Sequence, residues 1–325
     1  MPKPLTIWCN FKLPDALAET FRKSLGTNEL IWSPNMQASN LVGGGSDPTL
    51  EKADIAFGQP DPQQVMTLPN LKWVQLTSAG YTRYDRDDLR AAFKRRGAVM
   101  TNSSEVFAEP CAQHVLSFML AQARPLPAAW KDQAGARDWP TPPLRAGSRL
   151  LNGQRALILG FGSIARRLAE YLKPLEVEMI AVRRNVRGDE PIPTIPVDRT
   201  DELLHDADHI VNILPASPAT TNFINATRLA KMKPSAVLYN IGRGDTVDQA
   251  ALLTALKTNR LAAAYLDVTV PEPLPADNPL WDAPNCFITP HTAGGHHDEQ
   301  ERLVAHFMQN LQRFSGGTGL RDRIV

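Results

Sequence analysis

Cysteine is scarce in this chain, with three in 325 residues, at Cys9, Cys111 and Cys286. So few, odd in number and far apart, they suit neither a disulfide framework nor a zinc site, and no metal is expected; buried small apolar side chains are the expected state. No apolar run approaches the ~18 residues of a membrane span, and residues 1–10 lack the apolar core of a signal peptide. Neither sign of charge is in excess. A formal net charge of +1 gives no reason to expect nucleic acid or an anionic membrane as partner. No internal repeat is evident. What is present is 43% hydrophobic and 21% charged residues, the composition of a soluble globular protein, for which a cytoplasmic location is the expectation. A length of 325 residues suits two domains better than one core.

One stretch organises the rest. Ala156 to Leu159 form the short apolar run of a buried parallel strand, and Gly160-Phe161-Gly162-Ser163-Ile164-Ala165 follows with the pattern G-x-G-x-x-A. The first glycine permits a tight turn and the second lets a pyrophosphate approach the backbone. The small third residue lets the helix pack close to its strand. A helix beginning near Ser163 would present free N–H groups to the phosphates. Ile164, Leu168 and Leu172 share one face of that helix, Arg166 and Arg167 another, and a second apolar strand follows at 177–182. The whole is a βαβ unit, and a dinucleotide site is its expected use.

Before this unit, strand patterns at 5–9, 29–32, 53–57, 72–76 and 98–101 alternate with helical ones at 14–25, 62–67 and 85–94. They predict a smaller, flavodoxin-like parallel α/β domain, with Gly43-Gly44-Gly45 in a surface loop. A long helix is predicted over 104–124, with an apolar face that includes Val106, Val115, Leu116, Met119 and Leu120. Residues 125–143, rich in proline and carrying Trp130 and Trp139, read as an extended excursion suited to a subunit interface. Beyond the glycine turn, strands are expected at 177–182, 209–214, 236–241, 261–268 and 286–289. Helical segments at 201–205, 225–232 and 248–258 separate most of them. This is the pattern of a doubly wound Rossmann sheet. A final helix over 298–314 returns to the first domain, so the expected division is 1–101 with 296–325, and 102–295.

Ligands of such a sheet bind beyond the carboxyl ends of its strands. Three strand ends there carry chemistry: Arg243 within Gly242-Arg243-Gly244, then Asp267 with Glu272 in the next loop, then His291 after Pro290. Arg243, Glu272 and His291 would set a cation, a carboxylate and an imidazole beside a nicotinamide ring. An imidazole exchanges protons near neutral pH, and a carboxylate on its other nitrogen fixes its tautomer and favours its charged form. A guanidinium clamps a substrate carboxylate and polarises the adjacent carbonyl. Taken singly, each has an ordinary reading as a surface, loop or turn residue; the weight lies in all three following one dinucleotide unit.

The segments Tyr239 to Asp248, Leu266-Asp267-Val268 leading to Pro271-Glu272-Pro273-Leu274-Pro275, and Asn278-Pro279-Leu280-Trp281 leading to Thr289-Pro290-His291 resemble the signatures of the D-isomer-specific 2-hydroxyacid dehydrogenases. The resemblance spans most of 102–295. In the first domain it rests on Ser78-Ala79-Gly80, whose backbone amides it implies receive the substrate carboxylate. It further implies that Arg243 binds and polarises the 2-oxo acid, His291 is the acid/base and Glu272 orients it. Asp267 would lie near the nicotinamide carboxamide, and Leu214-Pro215 and Ile241 would border the cofactor. The implied activity is reduction of small 2-oxo acids to D-2-hydroxy acids, with glyoxylate and hydroxypyruvate among the substrates, by a homodimer joined through the nucleotide domain. Two rivals share the architecture. Formate dehydrogenases pair their histidine with Gln where this chain has Glu272, and the corepressor-like nucleotide-sensing proteins resemble the family down to its triad.

An enzyme reading NAD would carry Asp or Glu at the end of the second strand, roughly 20 residues after the glycines. This chain has Arg183-Arg184. Paired guanidiniums suit the 2′-phosphate of NADP, so NADP(H) is the expected cofactor, with NAD(H) the alternative.

Overall fold

Strand β1 (Thr6–Phe11) is buried at nearly every position, as a strand covered on both faces must be. After it come α1 (Asp15–Ser24), β2 (Glu29–Gln37), β3 (Ile55–Gly58), α2 (Pro62–Thr67), β4 (Trp73–Leu76), α3 (Asp87–Arg96) and β5 (Val99–Thr101). The five strands form a parallel sheet in the order β2-β1-β3-β4-β5, the flavodoxin-like order. Successive residues of β1 face opposite ways: Ile7 and Cys9 pack with Phe21, Phe57 and Phe307, whereas Trp8 packs with Val74, Leu89 and Phe93. Asp61 caps α2 through the amide of Gln63, and Gly97, at φ +67°, ends α3 in the left-handed region.

The structure is a computed structural model that describes residues 3–37 and 43–325; of the segment 1–10 considered for a signal peptide, the first two residues lie outside these. The chain divides into two units, Met1–Phe107 with His296–Val325, and Ala108–Gly295. The first division falls inside helix α4 (Ser104–Ala123), later than the 101/102 expected from sequence, because Val106 and Phe107 pack with Leu303 and Phe307 of the first unit.

The proline-rich segment is not extended. It forms α5 (Leu126–Ala134) and α6 (Thr141–Gly147), each with proline in its first turn, where the missing N–H is no loss and the fixed φ suits a helix start. Neither helix buries a residue; Trp130 and Trp139 are 58% and 86% exposed.

The second unit continues with β6 (Arg155–Leu159), α7 (Ser163–Leu172), β7 (Glu178–Arg183), β8 (Thr194–Pro196), β9 (His209–Asn212), α8 (Ala226–Lys231), β10 (Val237–Asn240), α9 (Gln249–Lys257), β11 (Ala263–Leu266) and β12 (Cys286–Ile288). The last helix, α10 (Glu299–Ser315), belongs to the first unit. All seven strands are parallel, in the order β12-β11-β10-β9-β6-β7-β8. The order runs one way from β6 through β7 and the other from β6 through β9, so the topological switch lies between β6 and β9. Strand β8 has no counterpart among the expected elements: three residues at the sheet edge, half-exposed, carry no readable alternation. The helix expected at 201–205 is instead a 3₁₀ segment, Val197–Glu202, in a run of polar residues.

At the opposite end of the sheet from the strand carboxyl ends, His209 is buried between the Tyr239 hydroxyl (3.0 Å) and Gln154 Oε1 (2.6 Å). Burial pushes its pKa down to about 4. The unfolded chain therefore binds the proton first, and stability is lost as pH falls from about 6.5 towards 4, by an amount on the order of 3 kcal/mol for this group. Urea unfolding across that window should be less pH-dependent in His209→Gln; equal slopes in the two proteins would contradict it.

Candidate active site

Strand β6 ends at Leu159, and Gly160 turns the chain at φ +93°. A Cβ at Gly160 would stand 3.1 Å from the carbonyl oxygen of Ile213, so the loops after β6 and β9 touch through their backbones. Gly162 is the N-cap of α7, no side chain caps that helix, and a Cβ built on Gly162 would meet nothing within 4 Å. Space therefore lies open before an uncapped helix N-terminus whose first turn begins with Ser163 and Ile164. The fit to a pyrophosphate is good. Ala165, with no exposed surface, sits against the sheet, where a larger residue would force the helix away.

The loop after β10 reaches the same region. A Cβ at Gly242 would lie 2.6 Å from Leu214 O, which brings Leu214-Pro215 beside Ile241 and Gly242. Two buried asparagines hold these loops. Asn212 donates to Asn240 Oδ1 (3.0 Å) and Thr246 Oγ1 (2.6 Å), and Asn240 donates to the carbonyl of Arg243 (3.1 Å). Both were legible as the polar residues that end the apolar runs of β9 and β10, and sequence reasoning passed over them.

Arg243 is half-buried, its Nη1 donating to Gly242 O at 2.6 Å. In the next loop Glu272 Oε1 accepts from the Thr269 amide (3.0 Å), and Oε2 lies 2.8 Å from Nδ1 of His291. Burial works against the ionised Glu272, but the hydrogen bonds from His291 and Thr269 and the charges of His291 and Arg243 outweigh it, so its carboxyl is held below the usual range. His291 itself has φ +53°, fixed by its amide donating to Asp267 O at 2.8 Å. With Nδ1 taken by the carboxylate, Nε2 has no hydrogen-bond partner among the described residues. Arginine, glutamate and histidine thus come together from three strand ends.

Asp267 ends β11 as a receiver of hydrogen bonds: Oδ1 accepts from Thr289 Oγ1 (2.7 Å) and the Thr292 amide (2.8 Å), and Oδ2 from the Ala293 amide (3.0 Å). It is buried and orders the chain just beyond His291. His114 on α4 lies 3.2 Å from Thr289 Oγ1 and 3.7 Å from Asp267, and burial lowers its pKa. Sequence reasoning missed His114; its signal was one polar residue beside Val115 on an apolar helix.

Arg183 and Arg184 differ in setting. Arg183 pairs with Glu190 at 2.8 Å, whereas Arg184 is exposed with no partner among the described residues. In the first unit, the carbonyls of Ser78, Ala79 and Gly80 accept from Ser103 N (3.0 Å), Asn102 Nδ2 (2.6 Å) and Ser78 Oγ (2.7 Å). The amides of Ala79 and Gly80 donate to nothing among the described residues, which suits them to an anion. Among the described residues no cluster of His, Cys, Asp or Glu could hold a metal, and no helix is long and apolar enough to cross a membrane.

A seven-stranded doubly wound sheet with an uncapped glycine turn at its switch point, and an Arg–Glu–His set at neighbouring strand ends, defines a dinucleotide-dependent oxidoreductase. Comparison with known proteins narrows the class. Residues 116–293 match the family described as D-isomer specific 2-hydroxyacid dehydrogenase, NAD binding domain. The chain is 33% identical to glyoxylate/hydroxypyruvate reductase B of Pectobacterium atrosepticum over 78% of this chain and 79% of that one. It is 34% identical to human glyoxylate reductase/hydroxypyruvate reductase, over 74% and 73%. The solved structure of a D-isomer specific 2-hydroxyacid dehydrogenase family protein from Aeromonas salmonicida superposes with a TM-score of 0.75 at 29% identity, covering 99% of both chains. The chain belongs to the D-isomer specific 2-hydroxyacid dehydrogenase family.

Because the Glu272 carboxylate is held ionised against Nδ1 of His291, Glu272→Gln should move the falling alkaline limb of carbonyl reduction to lower pH. The check is kcat/KM against pH in both proteins. An unchanged profile would reduce Glu272 to a loop residue.

Proposed function

We propose that this chain reduces small 2-oxo acids to D-2-hydroxy acids, and catalyses the reverse oxidation, with NADPH preferred over NADH. The observation that carries the reading is the 2.8 Å pairing of Glu272 with His291 Nδ1, which leaves Nε2 as the ring nitrogen without a partner among the described residues. Arg243 clamps the substrate carboxylate and polarises its carbonyl. A nicotinamide held there would supply the hydride for the carbonyl carbon, and the role of His291 is to protonate the oxygen. Gly160, Gly162, Ser163 and Ile164 hold the pyrophosphate, and Leu214, Pro215, Ile241 and Asp267 border the nicotinamide half. The Arg183-Arg184 segment reads the 2′-phosphate.

Glyoxylate and hydroxypyruvate are the proposed substrates, in line with what the Pectobacterium and human relatives are named for. The working form is a cytoplasmic homodimer joined through 104–143, a reading supported by the exposure of Trp130 and Trp139. The test is turnover of a panel of 2-oxo acids with both cofactors. The expected result is activity on glyoxylate and hydroxypyruvate with NADPH favoured by about tenfold or more, the worth of one charge-assisted hydrogen bond to the phosphate. Cofactor binding without turnover of any 2-oxo acid would instead point to a nucleotide-sensing protein. Equal or better use of NADH would overturn the NADPH preference.

A further inference from the structure

The loop between β7 and β8 holds an anion of its own. The side chain of Glu190 is only 3% exposed. Its Oε1 accepts from Arg183 Nη1 (2.8 Å) and the Arg187 amide (2.9 Å), and its Oε2 from the Gly188 amide (2.8 Å). Two backbone amides and a guanidinium converging on one carboxylate are the donors a phosphate monoester would use. The Arg187 amide first, then Gly188 and Arg183, hold the carboxyl down to about 2 against the opposing effect of burial. Glu190 is therefore ionised at any working pH. The Arg183 side chain, 17% exposed, is fixed and neutralised by this contact, while Arg184 next to it is exposed and has no partner among the described residues.

We propose that Glu190 is a specificity-determining residue for the cofactor: it withdraws Arg183 from phosphate recognition, leaves Arg184 as the cation that reads the 2′-phosphate, and limits the NADPH preference accordingly. The inference rests on the NADPH reading above and adds a division of labour to it. A free guanidinium at the end of β7 would attract the 2′-phosphate; one already bonded to a buried carboxylate contributes almost no net charge there. Glu190 thus acts through Arg183 and the loop as a positioning residue, without itself touching the reacting atoms.

The experiment compares kcat/KM for NADPH and NADH in four proteins: wild type, Glu190→Gln, Arg184→Ala, and the double variant Arg183→Ala/Glu190→Gln. Glu190→Gln keeps one acceptor oxygen, for the Arg187 amide, gives up that of the Gly188 amide, and frees the charge of Arg183. Its NADPH-to-NADH ratio should rise about tenfold, one charge-assisted contact, and should fall more steeply with added salt than that of wild type. Arg184→Ala should lose about tenfold or more in the same ratio. The double variant removes a cation and an anion together, so its ratio should return to within about threefold of wild type, as expected for two coupled sites. Turnover with NADH reports in each case whether the fold survives. A wild type that prefers NADPH combined with a Glu190→Gln ratio that is flat or lower overturns the inference alone. So does a double variant that loses as much as Arg184→Ala, which would show Arg183 reading the phosphate directly; that comparison still decides if Glu190→Gln does not fold. A wild type without NADPH preference overturns the NADPH reading, and the inference with it.

Discussion

His291→Asn should lower kcat for reduction of a 2-oxo acid by about 10²- to 10⁴-fold, the usual worth of a positioned general acid. The expectation follows from the way the ring is held. Glu272 takes Nδ1 at 2.8 Å, and the main-chain amide of His291, bonded to Asp267 O at 2.8 Å, fixes the residue at φ +53°. Asparagine tolerates the left-handed region, so the backbone survives the exchange. Its amide can still meet Glu272 but offers no proton at neutral pH. Neither cofactor loop depends on the imidazole for its own hydrogen bonds: the Gly160 amide donates to Val182 O, and the Gly242 loop is held through Asn212 and Asn240. The dissociation constant for the nucleotide, measured by quenching of protein fluorescence, should therefore stay within a few-fold of wild type while turnover collapses. Near-normal kcat at neutral pH would remove His291 from the mechanism.

How far the sequence shows this in advance depends on where the signal lies. Strands buried on both faces, such as residues 156–159 and 237–239, appear as unbroken apolar runs, so the position of each strand end, and of Gly160, Arg243 and His291 beyond it, is legible by counting. The proline-rich 125–143 stretch reads as extended although it is helical, because proline in a first turn starts a helix as readily as it ends one, and propensity alone does not say which turn it occupies. Contacts made across long separations leave no local pattern. The approach of His114 to Thr289, 175 residues apart, is of that kind. The pairing of Arg183 with Glu190 is only seven residues long, but it depends on a loop conformation that composition does not encode. Two adjacent arginines therefore looked equivalent, and the fold makes one an ion-pair partner and the other an exposed cation.

Arg243→Ala should cost about 10²- to 10⁴-fold in kcat/KM, since it removes two charge-assisted hydrogen bonds worth ~1.5–3 kcal/mol each. Part of that loss belongs to substrate binding and part to the carbonyl, whose oxygen gains charge only as the reaction proceeds. Arg243→Lys separates the two. It restores a point charge for the carboxylate but not the planar fork that serves carboxylate and carbonyl at once, so KM should recover more than kcat. The loop has no need of the guanidinium to hold its shape. The carbonyl of Arg243 accepts from Thr246 Oγ1 (2.6 Å) and Asn240 Nδ2 (3.1 Å), its backbone is extended at φ −143°, and among the described residues the side chain's hydrogen bond goes back to Gly242 O. Melting temperatures of both variants should accordingly lie close to wild type. Kinetics that are unaltered in a folded Arg243→Lys would contradict the clamp. A uniform loss of kcat and stability in both variants would make Arg243 a support of its loop, and the cation that meets the substrate would then have to be sought elsewhere.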